Sequence, residues 1–177
     1  LKQLRQIAES NEDISLKLEK IITMIVQQMK ADAGACYLVV DDNYLELFAS
    51  CGYNPDINHK ISLRVGEGLV GNVAQTKRTL AVSDVWKQKD FVYKPEMGED
   101  AYKAFIGVPL VRWNRAIGVI TLQSKHIYEY TELEREILET VAMLLNEIVA
   151  SDEMAAYKEA LIKSRGQVER EKYKGIS

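Results

Sequence analysis

Apolar positions recur at helix spacing towards both ends of the chain and at strand spacing in its middle. Near the N-terminus Leu1, Leu4 and Ile7 mark one short helical face, and Ile14, Leu18, Ile21, Ile22, Ile25 and Met29 mark a longer one. Asn11 is the expected N-cap of the second helix, with Glu12 and Asp13 beside the positive end of its dipole. From Gly34 the period changes. The runs "GACYLVV" (34–40) and "YLELFAS" (44–50), joined by Asp41-Asp42-Asn43, predict an antiparallel hairpin. "HKISLRV" alternates polar and apolar residues as a half-exposed strand does. A short helix over about 69–77 and a brief apolar run at Leu80–Val82 follow. Two strong strands, "AFIGVPLV" (104–111) and "AIGVITLQS" (116–124), turn at Trp113-Asn114.

Thr131-Glu132-Leu133-Glu134 is a capping box, and it starts a helix with apolar positions Leu133, Ile137, Val141, Leu144, Leu145 and Ile148. That pattern runs on through Met154, Tyr157 and Leu161 until Arg165-Gly166, where a break is expected. The long helix is either a solvated spacer or part of a helical dimer interface, and its extended apolar stripe favours the interface. The charged, core-poor end reads as a linker. Hairpin-linked strands between helical ends predict an α+β domain, with a mainly antiparallel sheet and helices gathered on one face. Residues 1–152 form this domain, and 153–177 a helical extension and linker.

Composition narrows the classes rather than the function. The chain has 177 residues, 47% hydrophobic and 28% charged, as an ordinary globular domain does. Its 23 basic and 26 acidic residues nearly cancel, which leaves no electrostatic footprint for nucleic acid or an anionic membrane. No apolar run approaches the ~18 residues of a membrane span. The amphipathic start "LKQLRQIAES" lacks the basic run and apolar core of a signal peptide, so a cytoplasmic location is expected. Cys36 and Cys51 are then reduced thiols in adjacent strands, with no flanking basic residue to activate either.

One motif invites a chemical reading. Gly66-Glu67-Gly68-Leu69-Val70-Gly71 is a literal G-x-G-x-x-G between a strand and a helix. A dinucleotide site needs a buried parallel strand before it, a helix long enough to cross the sheet, and an acidic residue about 20 positions on. Here Lys60, Ser62 and Arg64 alternate along the strand, the helix has about two turns, and Asp84 comes only 13 positions past Gly71. The glycines therefore read as local geometry: a sharp turn from strand into helix, close packing of that helix on the sheet, and at most a seat for a small anion at its N-terminus. His59 and His126 share no metal-ligand spacing, and no nucleophile–base motif stands out. The irregular stretch 83–103 is richer. Trp86, Phe91, Tyr93, Tyr102 and Phe105, with Lys94, Lys103 and Arg64 nearby, either line a small pocket or pin a long loop to the sheet.

Two blocks in this order, "GEGLVGNVAQTKRTLAVSDV" and "AFIGVPLVRWNRAIGVITLQS", followed by the capped helix of "YTELEREILETVAMLLNEIVAS", resemble a GAF domain over about residues 10–152. The segment from "YKPEMGEDAYK" through "SKHIYEYTELERE" is similar to the N-terminal GAF domain of nitrogen-type phosphotransferase Enzyme I, and the closing "KYKGIS" to the start of that family's phosphotransferase region.

The resemblance implies a sensor fold, with an antiparallel sheet between helices on one face and a ligand pocket on the other. It implies regulation by nitrogen status through 2-oxoglutarate or glutamine, homodimerisation through terminal helices, no cofactor, and catalytic residues outside this chain. On that reading Arg64, Leu69, Trp86, Phe91, Tyr93, Tyr102, Lys103 and Phe105 contact the ligand. Trp86 and Phe105 face the pocket, and Lys103 or Arg64 meets an acidic group. The asparagine-lysine-phenylalanine signature of cyclic-nucleotide GAF domains is missing. No cysteine lies in the variable segment for a bilin or for methionine sulfoxide reduction. The alternatives are a non-sensing GAF dimerisation module and the GAF domain of another regulator, such as a nitrogen-fixation transcription activator.

Overall fold

The computed structural model describes residues 2–41, 43–88 and 102–174. Six strands form one antiparallel sheet in the order β3-β2-β1-β6-β5-β4. They are β1 (Ala33–Asp41), β2 (Tyr44–Cys51), β3 (Ser62–Arg64), β4 (Leu80–Val82), β5 (Ala104–Arg112) and β6 (Arg115–Ser124). β1 and β6 are central and covered on both sides, so their two side-chain rows feed two separate cores.

One face carries α1 (Lys2–Glu9), α2 (Ile14–Gln28), α4 (Glu132–Val149) and the first turns of α5 (Asp152–Lys174). Leu18, Ile21 and Ile22 of α2 and Leu138 and Leu145 of α4 are at most 1% exposed against Leu38, Ile106, Ile120 and Leu122 of the sheet. Each such side chain contributes about 1.5–3 kcal/mol of burial. The other face is covered by α3 (Gly68–Thr76) and by the single 3-10 turns Pro55–Ile57 and Val85–Lys87.

Five strands fall within the expected runs, β3 shortened to Ser62–Arg64, while the brief apolar run Leu80–Val82 adds a sixth, β4. The Thr131 capping box forms with Glu134 as its reciprocal partner. The β5–β6 turn has positive φ at both Trp113 (51°) and Asn114 (59°), the combination a tight two-residue hairpin requires. Asp13 rather than Asn11 holds the N-cap position of α2, and its side chain makes no cap bond.

The C-terminal helix departs from expectation in three ways. It is two helices: the chain kinks at Ala150, and Ser151 Oγ accepts from Met154 N at 3.1 Å to start α5 afresh. The buried seam of α4 is Leu138, Val141, Ala142, Leu145 and Val149, so Leu133 and Ile137 of the expected stripe are 65% and 44% exposed. Nor does Arg165-Gly166 end α5, which continues to Lys174. A glycine costs a helix only about 1 kcal/mol, and here the preceding turn is anchored.

The anchor is a buried carboxylate. Glu46 of β2, 5% exposed, accepts from Arg165 Nη2 at 2.7 Å and lies 3.0 Å from His59 Nδ1. His59 Nε2 is in turn 3.1 Å from the Tyr157 hydroxyl, and Lys158 Nζ donates to the Val39 carbonyl at 3.1 Å. With Met154 fully buried, these contacts lay the apolar stripe of α5 on its own domain. Cys36 is fully buried and its thiol is pushed up to about 12 by burial, which makes it inert; Cys51 is half-buried.

Two variants test these packing arguments. A Cβ on Gly71 would stand 2.5 Å from the Arg64 carbonyl oxygen, so Gly71→Ala is expected to cost about 1–3 kcal/mol in urea unfolding. Arg165→Ala leaves Glu46 with one partner fewer. Amide exchange in α5 around 160–166 is expected to accelerate while β1 and β6 keep their protection.

Candidate functional site

The face of the sheet under α3 has the mixed character of a recognition surface. Its rows are Ala35 and Tyr37 of β1, Leu45 and Leu47 of β2, Phe105 and Gly107 of β5, and Val119, Thr121 and Gln123 of β6. Leu69, Val70, Val73 and Ala74 of α3 and Val85 pack over them. In this apolar setting Thr121 and Gln123 are polar yet only 3% and 4% exposed. Buried polar groups need partners, and Gln123 has one: the Tyr53 hydroxyl donates to its Oε1.

Tyr53 stacks edge-on against Tyr102 at 5.4 Å between centroids, and the Tyr102 hydroxyl donates to the Gly52 carbonyl at 2.7 Å. Burial, then the nearby Asp32 and Cys51, raise the Tyr102 hydroxyl above its ordinary value, so it stays a neutral donor. Trp86 Nε1 donates to the Tyr102 carbonyl at 3.2 Å, and Lys103 Nζ lies 5.8 Å from the centre of the Trp86 ring. Tyr53, Tyr102, Trp86 and Lys103 thus gather at one end of the face, with Gln123 and Thr121 as its polar floor.

The residues anticipated from sequence separate into groups. Leu69 and Phe105 belong to the face and are buried at 6% and 2%. The Phe105 ring lies across Gly107, where a Cβ would come within 2.8 Å of it. Trp86 is 46% exposed at the rim, and Tyr102 and Lys103 adjoin it. Phe91 and Tyr93 lie outside the described residues.

Arg64 is not part of this cluster. It is exposed at the end of edge strand β3, where its Nε donates to the Tyr44 hydroxyl at 3.2 Å. Tyr44 pairs with Asp41 at the far end of β1, whereas Lys103 adjoins Ala104, which pairs with Ser124 at the opposite end of β6. With four strand spacings and several residues between them, the two cations are more than ~20 Å apart. They cannot grip one small ligand together.

The glycine-rich loop is structural. Gly66 and Gly68 take φ of 94° and 66°, and the Gly66 amide donates to the Gly71 carbonyl at 2.8 Å. The Glu67 carboxylate turns back to accept from the Arg64 amide at 2.9 Å, placing a negative charge at the start of α3 that opposes a second anion there. Sequence reasoning missed Tyr53, Thr121 and Gln123. The signal was present: "AIGVITLQS" puts polar residues at 121 and 123, in the same inward row as Val119.

Known proteins resemble this chain in sequence and fold. The phosphoenolpyruvate-dependent phosphotransferase system protein of Escherichia coli is 27% identical over 160 residues, which is 88% of this chain and 21% of that protein. The Nif-specific regulatory protein of Azospirillum brasilense is 26% identical over 123 residues, 68% of this chain and 20% of that protein. The chain therefore spans about a fifth of the length of the curated relatives it matches. Among solved structures, the GAF domain from a phosphoenolpyruvate-protein phosphotransferase of Coxiella burnetii superposes with a TM-score of 0.78 at 26% identity. That match covers 90% of this chain and 95% of the solved one. The family model for the GAF domain matches residues 16–150, taking in all six strands together with α3 and α4, and the chain accordingly belongs to the GAF domain family.

Proposed function

We propose that this GAF domain is the small-molecule-sensing regulatory unit of a phosphoenolpyruvate–protein phosphotransferase that responds to nitrogen status. The observation that carries the proposal is the buried pair Thr121 and Gln123, with the tyrosine hydroxyls beside it, in an otherwise apolar face. Apolar walls with a few convergent polar groups are the usual composition of a small-molecule site. Relatedness to a phosphotransferase and to Nif regulators supports the nitrogen theme. On this reading 1–152 is the sensor, 153–177 leads towards a catalytic region, and phosphoryl transfer belongs to that region.

Of the two expected effectors, glutamine suits the floor better than 2-oxoglutarate. Among the described residues the floor carries no charged side chain, and burying a second carboxylate without a cation is costly. Glutamine presents a neutral amide to Gln123 and Thr121 and keeps its α-carboxylate and α-ammonium together at the rim, the carboxylate towards Lys103. A self-filled, non-sensing module is the second reading, favoured by the near-complete burial of Phe105, Val73 and Val85.

Thermal unfolding with glutamine, 2-oxoglutarate and cyclic nucleotides separates the two. A ligand at about 100 times its Kd adds about 2.7 kcal/mol, or a shift of roughly 5–10 °C at this chain length. Glutamine is expected to give it, and Lys103→Ala to reduce it while Arg64→Ala does not. No shift with any of them at millimolar concentration favours the self-filled module.

Homodimerisation through terminal helices is part of the same proposal. Leu133 and Ile137 stand exposed on α4, in line with half-buried Leu144 and Ile148. Those two border a cavity of about 440 Å³ shared with Leu4, Ala8 and Ile14. In sedimentation the chain is expected to run as a dimer and Ile137→Asp as a monomer with unchanged secondary structure.

A further inference from the structure

The β5–β6 hairpin tip combines three choices that each work against local stability. Trp113 is 87% exposed. It also holds a left-handed φ of 51°, which is unfavourable for a bulky residue. Arg112 and Arg115 are direct cross-strand partners, and like charges set opposite one another repel. Asn-Gly would build this turn at lower cost. An accumulation of local costs at an exposed site points to a use outside the fold.

The surroundings say what kind of use. The tip is held in place: Lys77, which ends α3 in a left-handed conformation, donates from Nζ to both the carbonyl and the Oδ1 of Asn114, at 3.1 and 3.2 Å. Beside it runs a groove of about 560 Å³ between β5 and α4, floored by Val108, Pro109, Val111 and Ala142, with Met143 70% exposed at its lip. Lys77, Arg78 and Arg135 line it against a single carboxylate, Glu139, which is engaged by the Thr79 hydroxyl at 2.7 Å. Among the described residues Arg78, Arg112, Arg115 and Arg135 carry no ion pair. Asn146 Oδ1, on the groove wall, is a buried acceptor without a partner.

We propose that this tip and groove dock an acidic segment of a partner protein that carries an apolar anchor residue. Carboxylates would sit between Arg112 and Arg115 and along Arg78 and Arg135, relieving the unpaired positive charge. The anchor would enter the groove beside Met143, and Trp113 would be covered, as central interface tryptophans are. A nucleic acid fits less well. The exposed Glu132 and Glu136 of the neighbouring helix and the chain's net charge of −3 oppose a long polyanion.

The test is a two-dimensional NMR titration of the whole chain, followed at the Trp113 indole and at the 112–115 and 77–78 amides. The probes are a short Glu/Asp-rich peptide with a central Phe, its Lys-rich counterpart, and oligo-dT of matched length. Saturable shifts at the tip with the acidic peptide alone, weakened by salt, are expected. Trp113→Ala, and Arg112→Glu with Arg115→Glu, should each weaken binding about tenfold or more. A Trp113→Asn/Asn114→Gly variant should melt ~2–4 °C higher yet lose the peptide, which separates recognition from folding. Absence of tip shifts at millimolar peptide, saturation by oligo-dT instead, or unimpaired binding by any of these variants would overturn the proposal.

Discussion

Everything in this domain depends on β1 and β6 being buried on both faces while their side chains alternate. In β6, Ile120 and Leu122 supply the helical core, while Val119, Thr121 and Gln123 supply the opposite face. The period is two and admits no adjustment. A slip of one residue would drive a glutamine into the helical core and turn two aliphatic side chains onto the polar floor. The register with β1, from Ala33 opposite Gln123 to Leu38 opposite Gly118, therefore fixes the helical core and the face under α3 in the same act. Gly118 permits it, because a Cβ there would stand 2.6 Å from the Tyr37 carbonyl oxygen.

The same alternation is why most of the fold was legible in the chain. Five of the strands, the short α3 and the Thr131 cap all follow from patterns a few residues long, whereas the brief apolar run Leu80–Val82 was too short to mark β4 as a strand. What failed was part of the choice between two apolar stripes on one helix: Val141 and Leu145 of the expected set turn inward, but Leu133 and Ile137 do not. Leu133, Ile137, Leu144 and Ile148 are as regular in spacing as Leu138, Val141, Leu145 and Val149. Only the sheet decides which turns inward. The break at Ser151 carried a local signal, a capping hydroxyl followed by Asp152 and Glu153, but a continuous apolar stripe overrode it. The continuation through Gly166 carried none, since its anchor, Glu46, lies far away in sequence.

The aromatic surroundings of the face under α3 were legible in composition and its geometry was not. Aromatics between two sheet blocks pointed to Trp86, Tyr102 and Phe105, and these do adjoin or line the face. Arg64 and Lys103, read as alternative contacts to one acidic ligand, lie towards opposite ends of the strand order. Both residues flank strands that look equivalent from sequence, yet β3 and β5 are separated by three other strands. Long-range strand order comes from the packing of whole hairpins, which no short window contains.

Glu46 sits between Leu45 and Leu47 on one strand. The two leucines pack in the core under α3, while the carboxylate between them holds Arg165 of the departing helix. The two sets of contacts are therefore not separate regions of the fold. They are the obverse and reverse of three successive residues. What separates the apolar face under α3 from the anchor of α5 is the thickness of a single strand.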